Sequence, residues 1–254
     1  MVSIGDGRLD GCVALLTGAV RRNGRAMACA LAKEGAKIVI NTRASQREAE
    51  AAVAEIEALG VDAMAHLADV TDEKAVVDMI EAVTSRFGRL DILINNAADR
   101  VQSPFLDITY AQWKSIISVI LDGAFLCSRA ALPYMIAGGG GRIINIGGVV
   151  GHAGAIERAH VAAAKAGLVG LTKALAVEFA QQGVTVNCVV PGKIGGERPK
   201  TAGESPPPAD GKGPLVGREG TFEEVAAIVL ALCLPSGAFV TGQAIHVSGG
   251  MYMP

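Results

Sequence analysis

The stretch Val13-Ala-Leu-Leu-Thr-Gly-Ala-Val-Arg-Arg-Asn-Gly24 decides the fold of this chain. Its apolar start predicts a buried strand that ends at Thr17-Gly18, and Gly24 opens a pattern of apolar residues at helical spacing. A strand that turns sharply into a helix directs free backbone N–H groups and the positive end of the helix dipole at one point. Such a point binds anions, commonly the pyrophosphate of a dinucleotide. Taken alone, the loop is also compatible with an ordinary strand–helix turn.

The rest of the chain alternates short apolar runs with amphipathic segments. Six further strands are predicted over residues 37–41, 63–68, 91–95, 142–146, 185–190 and 244–247. Further helices are predicted over residues 45–59, 73–87, 111–137, 157–180 and 222–234, with Ser45 as N-cap and Gly60 as C-cap of the first. Because strands that alternate with helices need parallel crossovers, we expect an α/β fold in one domain over residues 1–254. Its sheet is doubly wound, mostly parallel and seven-stranded, with helices on both faces.

Composition and charge exclude several classes of partner. Half of the 254 residues are apolar, which is enough for a full core. A net charge of −2 argues against nucleic-acid and anionic-membrane surfaces. No stretch approaches the roughly 20 apolar residues of a membrane span, and residues 1–11 do not resemble a signal peptide. The five cysteines are scattered, which predicts buried thiols in a reducing compartment and no metal site. We expect a cytoplasmic protein.

The residues after the second predicted strand indicate which nucleotide would bind. An acidic side chain that would hold a ribose 2′-hydroxyl is missing there, and Thr42 and Arg43 stand in its place. The Arg43 guanidinium can bind a 2′-phosphate through two hydrogen bonds, and Arg21 and Arg22 in the glycine loop add positive charge on the same side. Each arginine alone is more typical of a solvated surface charge. Together they favour NADP(H) over NAD(H).

Five short motifs recur in a fixed order along the chain. They are the loop from Thr17 to Gly24, Ala68-Asp69-Val70, Asn95-Asn96-Ala97-Ala98, Lys165-Ala-Gly167 and Pro191-Gly192. In this order the chain resembles a short-chain dehydrogenase/reductase, of the type that includes the 3-oxoacyl-carrier-protein reductases, over about residues 10–250. The resemblance implies a Rossmann fold, a nicotinamide cofactor and a homo-oligomer, a tetramer or dimer, built through two long helices and the C-terminal strand.

The resemblance also implies which residues hold the cofactor. Asp69 and Val70 would contact the adenine, and Asn95 and Ala97 would line the ribose side. The nicotinamide would lie against Pro191, Gly192 and Ile194. The glycine loop would contribute Gly18, Arg21, Arg22, Asn23 and Gly24. Arg22 stands where the family usually has its middle glycine.

The family's catalytic positions depart from its pattern. The reaction uses a tyrosine that passes a proton to or from the substrate oxygen, with a lysine four residues later that holds the nicotinamide ribose. A serine binds the substrate oxygen and an asparagine positions a water chain. Matched on these motifs, Lys165 is kept, but Val161 replaces the tyrosine, Gly148 the serine and Ile120 the asparagine.

Three groups could supply the missing proton. His160 is the first candidate, although it lies about 140° from Lys165 around a helix, so that a helix-surface or subunit-contact histidine paired with Glu157 is the alternative. His152 follows the fifth strand, where this fold borders its substrate pocket. Lys165 itself could act as the acid if burial lowers its pKa.

Two functions remain open on these residues. The first is an NADP(H)-dependent oxidoreductase that acts on a carbonyl or alcohol substrate with an atypical active site. The second is a catalytically silent NADP-binding homologue that acts as a sensor or partner subunit. Residues 193–220 have no periodicity and are predicted to form a substrate lid. Its Lys193, Arg198 and Lys200 could meet an acidic substrate or could simply be solvated charges.

Overall fold

A seven-stranded parallel sheet organises the molecule in the computed structural model, which describes residues 8–195 and 213–254. The strands are β1 (Val13–Leu16), β2 (Lys37–Thr42), β3 (Ala63–Leu67), β4 (Ile92–Asn95), β5 (Gly141–Ile146), β6 (Val184–Pro191) and β7 (Ala244–Val247). Their order is β3-β2-β1-β4-β5-β6-β7, and all six neighbouring pairs run parallel. The order reverses between β1 and β4, so a crevice opens there at the carboxyl ends of the strands.

Helices cover both faces of the sheet. They are α1 (Arg22–Ala32), α2 (Gln46–Glu57), α3 (Glu73–Phe87), α4 (Tyr110–Ile117), α5 (Gly123–Ala137), α6 (Val150–Ala153), α7 (Ala159–Phe179) and α8 (Phe222–Cys233). One core cluster joins the sheet to α1, α2 and α8, and a second joins it to α3, α5 and α7. Neighbours on one strand, such as Leu15 and Leu16, enter opposite clusters because side chains alternate across a strand. The predicted doubly wound α/β fold is confirmed.

The helix ends differ in detail from the expectation. Ser45 lies at the N-cap of α2 but its side chain makes no cap hydrogen bond, and α2 ends at Glu57 with Ala58 as its C-cap, before Gly60. Thr221 caps α8 with a full capping box that includes Glu224. The short helix α6 has no counterpart in the sequence prediction, because its one turn is too short to show a helical period.

The helix predicted over residues 111–137 is continuous but not uniform. Between α4 and α5 the backbone forms a π-helical turn, Ser118–Asp122, and such turns often mark functional sites. The stretch Tyr110–Ala137, like Ala159–Gln182, is long and apolar enough to cross a membrane by length and composition. The expectation that no stretch reaches that length was therefore wrong. In Tyr110–Ala137 44% and in Ala159–Gln182 39% of the most apolar window is buried inside the protein, and both helices contribute residues to one core cluster on the sheet.

The described ends of the predicted lid approach each other. Ile194 and Gly220 form an isolated parallel bridge, and the Lys193 ammonium lies 3.0 Å from the Glu219 carboxylate. Lys193 is therefore half of an ion pair at the base of this segment. Arg198 and Lys200 lie outside the described residues.

Candidate functional site

The loop after β1 is fixed to the end of β4 by hydrogen bonds. The Thr17 hydroxyl oxygen accepts from the backbone N–H groups of Asn96 and Ala97, both at 3.0 Å. The Asn96 side-chain amide donates to the carbonyl oxygens of Thr17 and Gly18, both at 2.9 Å. A Cβ on Gly18 would lie 2.9 Å from the Ala97 Cα, so only glycine allows this approach. Two of the sequence motifs thus meet at one point of the crevice.

Arg22 keeps the loop conformation at an energetic cost. Its φ of +53° is in the left-handed region, which costs a non-glycine residue about 1–2 kcal/mol. The loop therefore retains the shape of a glycine-containing turn at the position where the family usually has glycine. The Arg22 guanidinium lies 5.1 Å from the ring centre of Phe222 at the start of α8. The expectation that this guanidinium joins Arg21 and Arg43 at a phosphate stays a prediction.

The loop's second glycine and its neighbour close the start of α1. A Cβ on Gly24 would lie 2.5 Å from the Ala19 Cα, so the backbone of α1 packs directly on the turn. Asn23 follows Arg22 in the first turn of the helix. The first turn of α1 thus follows directly after the end of β1, where the free N–H groups of a helix start would favour an anion.

The carboxyl ends of β2 and β3 lie on the side of the crevice where the adenosine is expected. The Asn41 side chain is buried, donates to the Ala68 carbonyl at 3.0 Å and accepts from the Gly18 N–H. Thr42 is buried and Arg43 is exposed, with no ion pair to any residue in the described ranges. The Arg21 guanidinium lies 3.5 Å from Glu48 in an exposed pair. Two cations thus stand at the neighbouring ends of β1 and β2.

Asp69 and Val70 follow β3 at the same edge. One Asp69 oxygen, Oδ1, accepts hydrogen bonds from the N–H and the hydroxyl of Thr71. Oδ2 accepts none from a described residue and can bind an amino group. Val70 is buried, and a Cβ on Gly123 would lie 2.8 Å from it. α5 therefore begins directly against this side of the crevice.

Asn95 is directed into the protein beneath the crevice. Its side-chain amide donates to Asn145 at 2.9 Å and to Ser128 at 3.1 Å, and Asn145 donates in turn to Thr172. This buried network joins β4, β5, α5 and α7, and it holds the strand ends in register. The structure thus gives the Asn95 side chain a positioning task, and its contact with a cofactor stays a prediction.

Pro191, Gly192 and Ile194 lie at the end of β6. The Gly192 N–H donates to the Val247 carbonyl, and a Cβ on Gly192 would lie 2.7 Å from the Ser248 Cα. The Pro191 carbonyl accepts from the N–H of Val149, in the turn after β5. The exits of β5, β6 and β7 are therefore tied together around the place where the nicotinamide is expected.

Lys165 is buried at the centre of this edge. Its ammonium donates to the carbonyl oxygen of Ile146, the last residue of β5. Burial, with the positive charge of Arg100, lowers the pKa of Lys165 to about 7. The backbone of Gly151 in α6 packs against it, since a Cβ there would meet the Lys165 backbone at 2.8 Å. A buried amine that titrates near neutral pH is typical of a functional site.

The surroundings of Lys165 are apolar. Ile120, in the π-helical turn, and Val161, on α7, are both 2% exposed and belong to one hydrophobic cluster. Among the described residues, a Cβ built on Gly148 would have a Val150 methyl carbon at 3.6 Å as its one neighbour within 4 Å, so a larger side chain has room there. No hydroxyl or amide enters the site from these three positions.

The two candidate histidines have different surroundings. His160 is fully buried, and neither ring nitrogen bonds to a described residue. The expectation of a helix-surface histidine paired with Glu157 was therefore wrong, because the loop after β4 covers this face of α7. Burial and the charge of Arg158 lower the pKa of His160, and Asp99 opposes them.

His152 packs against two other aromatic rings. Its ring lies 4.6 Å from that of His246 and 5.2 Å from that of Tyr252, at the β7 edge of the sheet. Burial and the charge of Lys173 lower the pKa of His152. These ring contacts favour a structural task for His152. Within the described ranges, no three His, Cys, Asp or Glu side chains gather as a metal site.

Comparison with known proteins agrees with this arrangement. Residues 18–252 match the family described as Enoyl-(Acyl carrier protein) reductase. The chain is 40% identical over 240 residues to the 3-oxoacyl-[acyl-carrier-protein] reductase FabG of Staphylococcus aureus, which covers 94% of this chain and 98% of FabG. It is 41% identical over 242 residues to the Synechocystis 3-oxoacyl-[acyl-carrier-protein] reductase, with 95% and 97% covered.

Solved structures agree as well. The acetoin dehydrogenase YohF of Salmonella typhimurium superposes with a TM-score of 0.85 at 34% identity, covering 94% of this chain and 95% of YohF. A protein described as a short-chain alcohol dehydrogenase from Sinorhizobium meliloti superposes with a TM-score of 0.87 at 33% identity, covering 96% and 97%. The chain therefore belongs to the short-chain dehydrogenase/reductase family, whose Rossmann fold it has.

Proposed function

We propose that this protein is an NADP(H)-dependent oxidoreductase that acts on a carbonyl or alcohol substrate with an atypical active site. The observation that carries the proposal is Lys165, a buried amine with a pKa of about 7 at the carboxyl edge of the sheet. Burying an amine costs free energy, and a protein that only held a nucleotide at its adenosine end would gain nothing from it. The relatives' names support the same class of reaction.

The residues at the exits of β1 and β2 fit NADP(H). Arg43 is exposed, and Arg21 is in a long, exposed ion pair that a phosphate can replace. No carboxylate stands directly after β2, at Thr42 or Arg43, to repel a 2′-phosphate, and the Thr42 hydroxyl adds a donor. The cofactor supplies the hydride when bound. The chain's own residues bind and orient it, and Lys165 is placed to hold its nicotinamide ribose.

The substrate oxygen needs a proton that Ile120, Gly148 and Val161 cannot give. Lys165 is a buried titratable group at the end of β5, and Arg100, whose charge acts on it, is exposed to solvent. We infer that Lys165 or water supplies this proton. His160, which is buried on α7, stays the alternative donor of this proton. Loss of a dedicated acid lowers the rate about 10²–10⁴-fold without removing hydride transfer.

A first experiment tests the cofactor. We expect Arg43→Ala to weaken NADPH binding about 10-fold or more, since a charged hydrogen bond is worth about 1.5–3 kcal/mol, and to leave NADH binding unchanged. Arg47→Ala is the matched control, because Arg47 is exposed on α2 one turn away. Fluorescence titration of both nucleotides measures the effect. An equal loss of affinity for NADPH and NADH would contradict a 2′-phosphate site.

A second experiment tests the reaction. NADPH consumption is measured over ketones, aldehydes, quinones and acyl thioesters. Bound NADPH that none of these compounds oxidises would favour the silent homologue.

We also propose a homo-oligomer. Apolar side chains are exposed on the outer faces of α5 and α7, with Val177 85% exposed, and near the C-terminus, with Phe239 fully exposed. A tetramer or dimer would cover them. We expect Val177→Glu to dissociate the assembly in light scattering, whereas Val77→Glu on α3 should not. A monomeric wild-type protein would overturn this proposal.

A further inference from the structure

Three aromatic rings from separate parts of the chain pack together at the β7 edge of the sheet. His152 belongs to α6, His246 to β7 and Tyr252 to the C-terminal residues that follow β7. The ring centres of His246 and Tyr252 lie 5.0 Å apart, and the His152 ring lies 4.6 Å from the first and 5.2 Å from the second. Each ring thus contacts both others. We call these three residues the ring cluster.

The ring cluster adjoins the place where the nicotinamide is expected. On one side it includes α6, where a Cβ on Gly151 would meet the Lys165 backbone at 2.8 Å. On the other side, the sulfur of Met251, one residue before Tyr252, accepts a hydrogen bond of 3.2 Å from the Lys193 N–H at the base of the predicted lid. The ring cluster therefore joins two segments that flank the proposed cofactor site.

The ring contacts suit neutral imidazoles. The Nε2 atoms of His152 and His246 are both buried, and neither has a hydrogen-bond partner among the described residues. In an imidazolium both ring nitrogens carry a proton, so a buried N–H group with positive charge would lack an acceptor. This arrangement costs free energy. Burial accordingly lowers the pKa of both histidines.

The neighbouring charges also oppose a proton on the ring cluster. The ammonium of Lys173, on α7, lowers the pKa of His152, and His152 lowers the pKa of His246. A backbone hydrogen bond with Ala244 acts in the opposite direction on His246. The ionisable side chains of β6 and α8, the elements beside β7, are Cys188, Glu223, Glu224 and Cys233. None of these four contributes to the pKa shifts of the two histidines.

We propose that the ring cluster is a pH-sensitive contact, which holds α6 against β7 and the C-terminal residues at neutral pH and releases it at mildly acidic pH. The pKa of each histidine lies below its ordinary value of about 6.5 while the rings are packed, so the released form binds protons more readily. The contact is therefore complete above that value and loses stability as the pH falls below it.

Release of α6 would loosen the surroundings of Lys165, which packs on it. We therefore expect the nicotinamide end of the cofactor to bind more weakly at acidic pH, whereas the adenosine end, at the opposite side of the crevice, is unaffected. This second step rests on the proposed function. The contact between the rings does not, because it forms without a cofactor.

Hydrogen exchange tests the contact in the protein without cofactor. The backbone N–H groups of residues 151–154 donate to carbonyl oxygens of residues 148–150, so their protection reports on α6. Corrected for intrinsic exchange rates, this protection should fall about 5-fold or more from pH 6.5 to pH 5 in the wild type. The double variant His152→Phe, His246→Phe keeps two rings and should lose this pH dependence, and His152→Phe alone should lose part of it.

His66→Phe is the matched control for these variants. His66 is half-buried on β3, and burial lowers its pKa as well. Its substitution should leave the protection of α6 as in the wild type. The same pH dependence in the wild type and the double variant, or a constant protection in the wild type, would overturn the proposal.

Calorimetric titration tests the effect on the cofactor. NADP⁺ is compared with 2′-phospho-ADP-ribose, which lacks the nicotinamide. From pH 6.5 to pH 5 the affinity for NADP⁺ should fall about 5-fold or more relative to that for 2′-phospho-ADP-ribose in the wild type, and not in the double variant. Lys165 is mostly charged below pH 7 and contributes equally to both proteins. A parallel change for both nucleotides in the wild type would overturn the second step. If neither nucleotide binds, the proposed function fails, and the hydrogen-exchange result still decides for or against the contact.

Discussion

A variant with Ile120→Asn, Gly148→Ser and Val161→Tyr should reduce carbonyl substrates about 10²–10⁴-fold faster than the same variant with Val161→Phe. Tyrosine and phenylalanine fill nearly the same space, so the comparison isolates one hydroxyl. Lys165 lies one helical turn from position 161, where its positive charge would lower the pKa of the new phenol. The added serine would hold the substrate oxygen.

The structure also indicates how much stability the three substitutions would cost. Gly148 has room for a side chain, but Ile120 and Val161 are buried in one apolar cluster. Overpacking at position 161 costs about 1–3 kcal/mol, and an amide at position 120 costs a similar amount unless it is hydrogen-bonded. Both variants share these costs, so circular dichroism melting and NADPH titration serve as controls. If both variants fold and bind NADPH but the tyrosine adds no rate, position 161 does not face the reacting carbonyl.

Most of the fold could be predicted from the sequence because its signals are local. Each strand is a short apolar run that ends at a polar or turn residue, and β7 was predicted with the observed bounds, Ala244–Val247. The parallel order then follows from the alternation with helices. The π-helical turn at Ser118–Asp122 was missed, since it continues the same apolar pattern as the helices on either side.

The candidate site could be predicted only in part. The motif residues at the strand ends do meet at one edge, because parallel strands place their carboxyl ends together. The direction of the Arg22 side chain could not be predicted, since it depends on a left-handed φ and on Phe222, about 200 residues further along the chain. A helical wheel gave the wrong exposure for His160 because the covering loop comes from β4.

Arg100 and Arg158 belong to no motif. The charge of Arg100 acts on Lys165 and that of Arg158 acts on His160, across a junction that the hydrogen bond between Ser103 and Glu157 closes, and a contact of this kind has no local sequence signal. The positive φ of Glu157 has none either, because glutamate is not a residue that favours such a conformation. This junction between the loop after β4 and the start of α7 is thus set by tertiary structure.

Lys165→Met should stabilise the free protein at neutral pH and abolish most of its activity. The pKa of Lys165 is about 7 in the folded protein because burial and Arg100 disfavour its charge, against about 10.5 in the unfolded chain. Between these values the unfolded chain binds more protons, so the free energy of unfolding of the wild type rises with pH by up to about 1.4 kcal/mol per unit. Below pH 7 the full penalty remains, on the order of a few kcal/mol. Methionine carries no charge and removes this penalty.

The difference in free energy of unfolding between the wild type and Lys165→Met isolates the effect of the buried charge. Burial raises the pKa of the thiols of Cys127 and Cys233 to about 12, so thiols that ionise only in the unfolded chain lower the stability of both proteins at alkaline pH. The lost hydrogen bond to Ile146 is a constant offset. In urea unfolding from pH 6.5 to 9, Lys165→Met should therefore have a larger free energy of unfolding than the wild type at pH 7. This difference should shrink steadily as the pH rises. A difference that does not change with pH would show that Lys165 keeps its ordinary pKa, and that the amine at the centre of the proposed site is charged throughout this range.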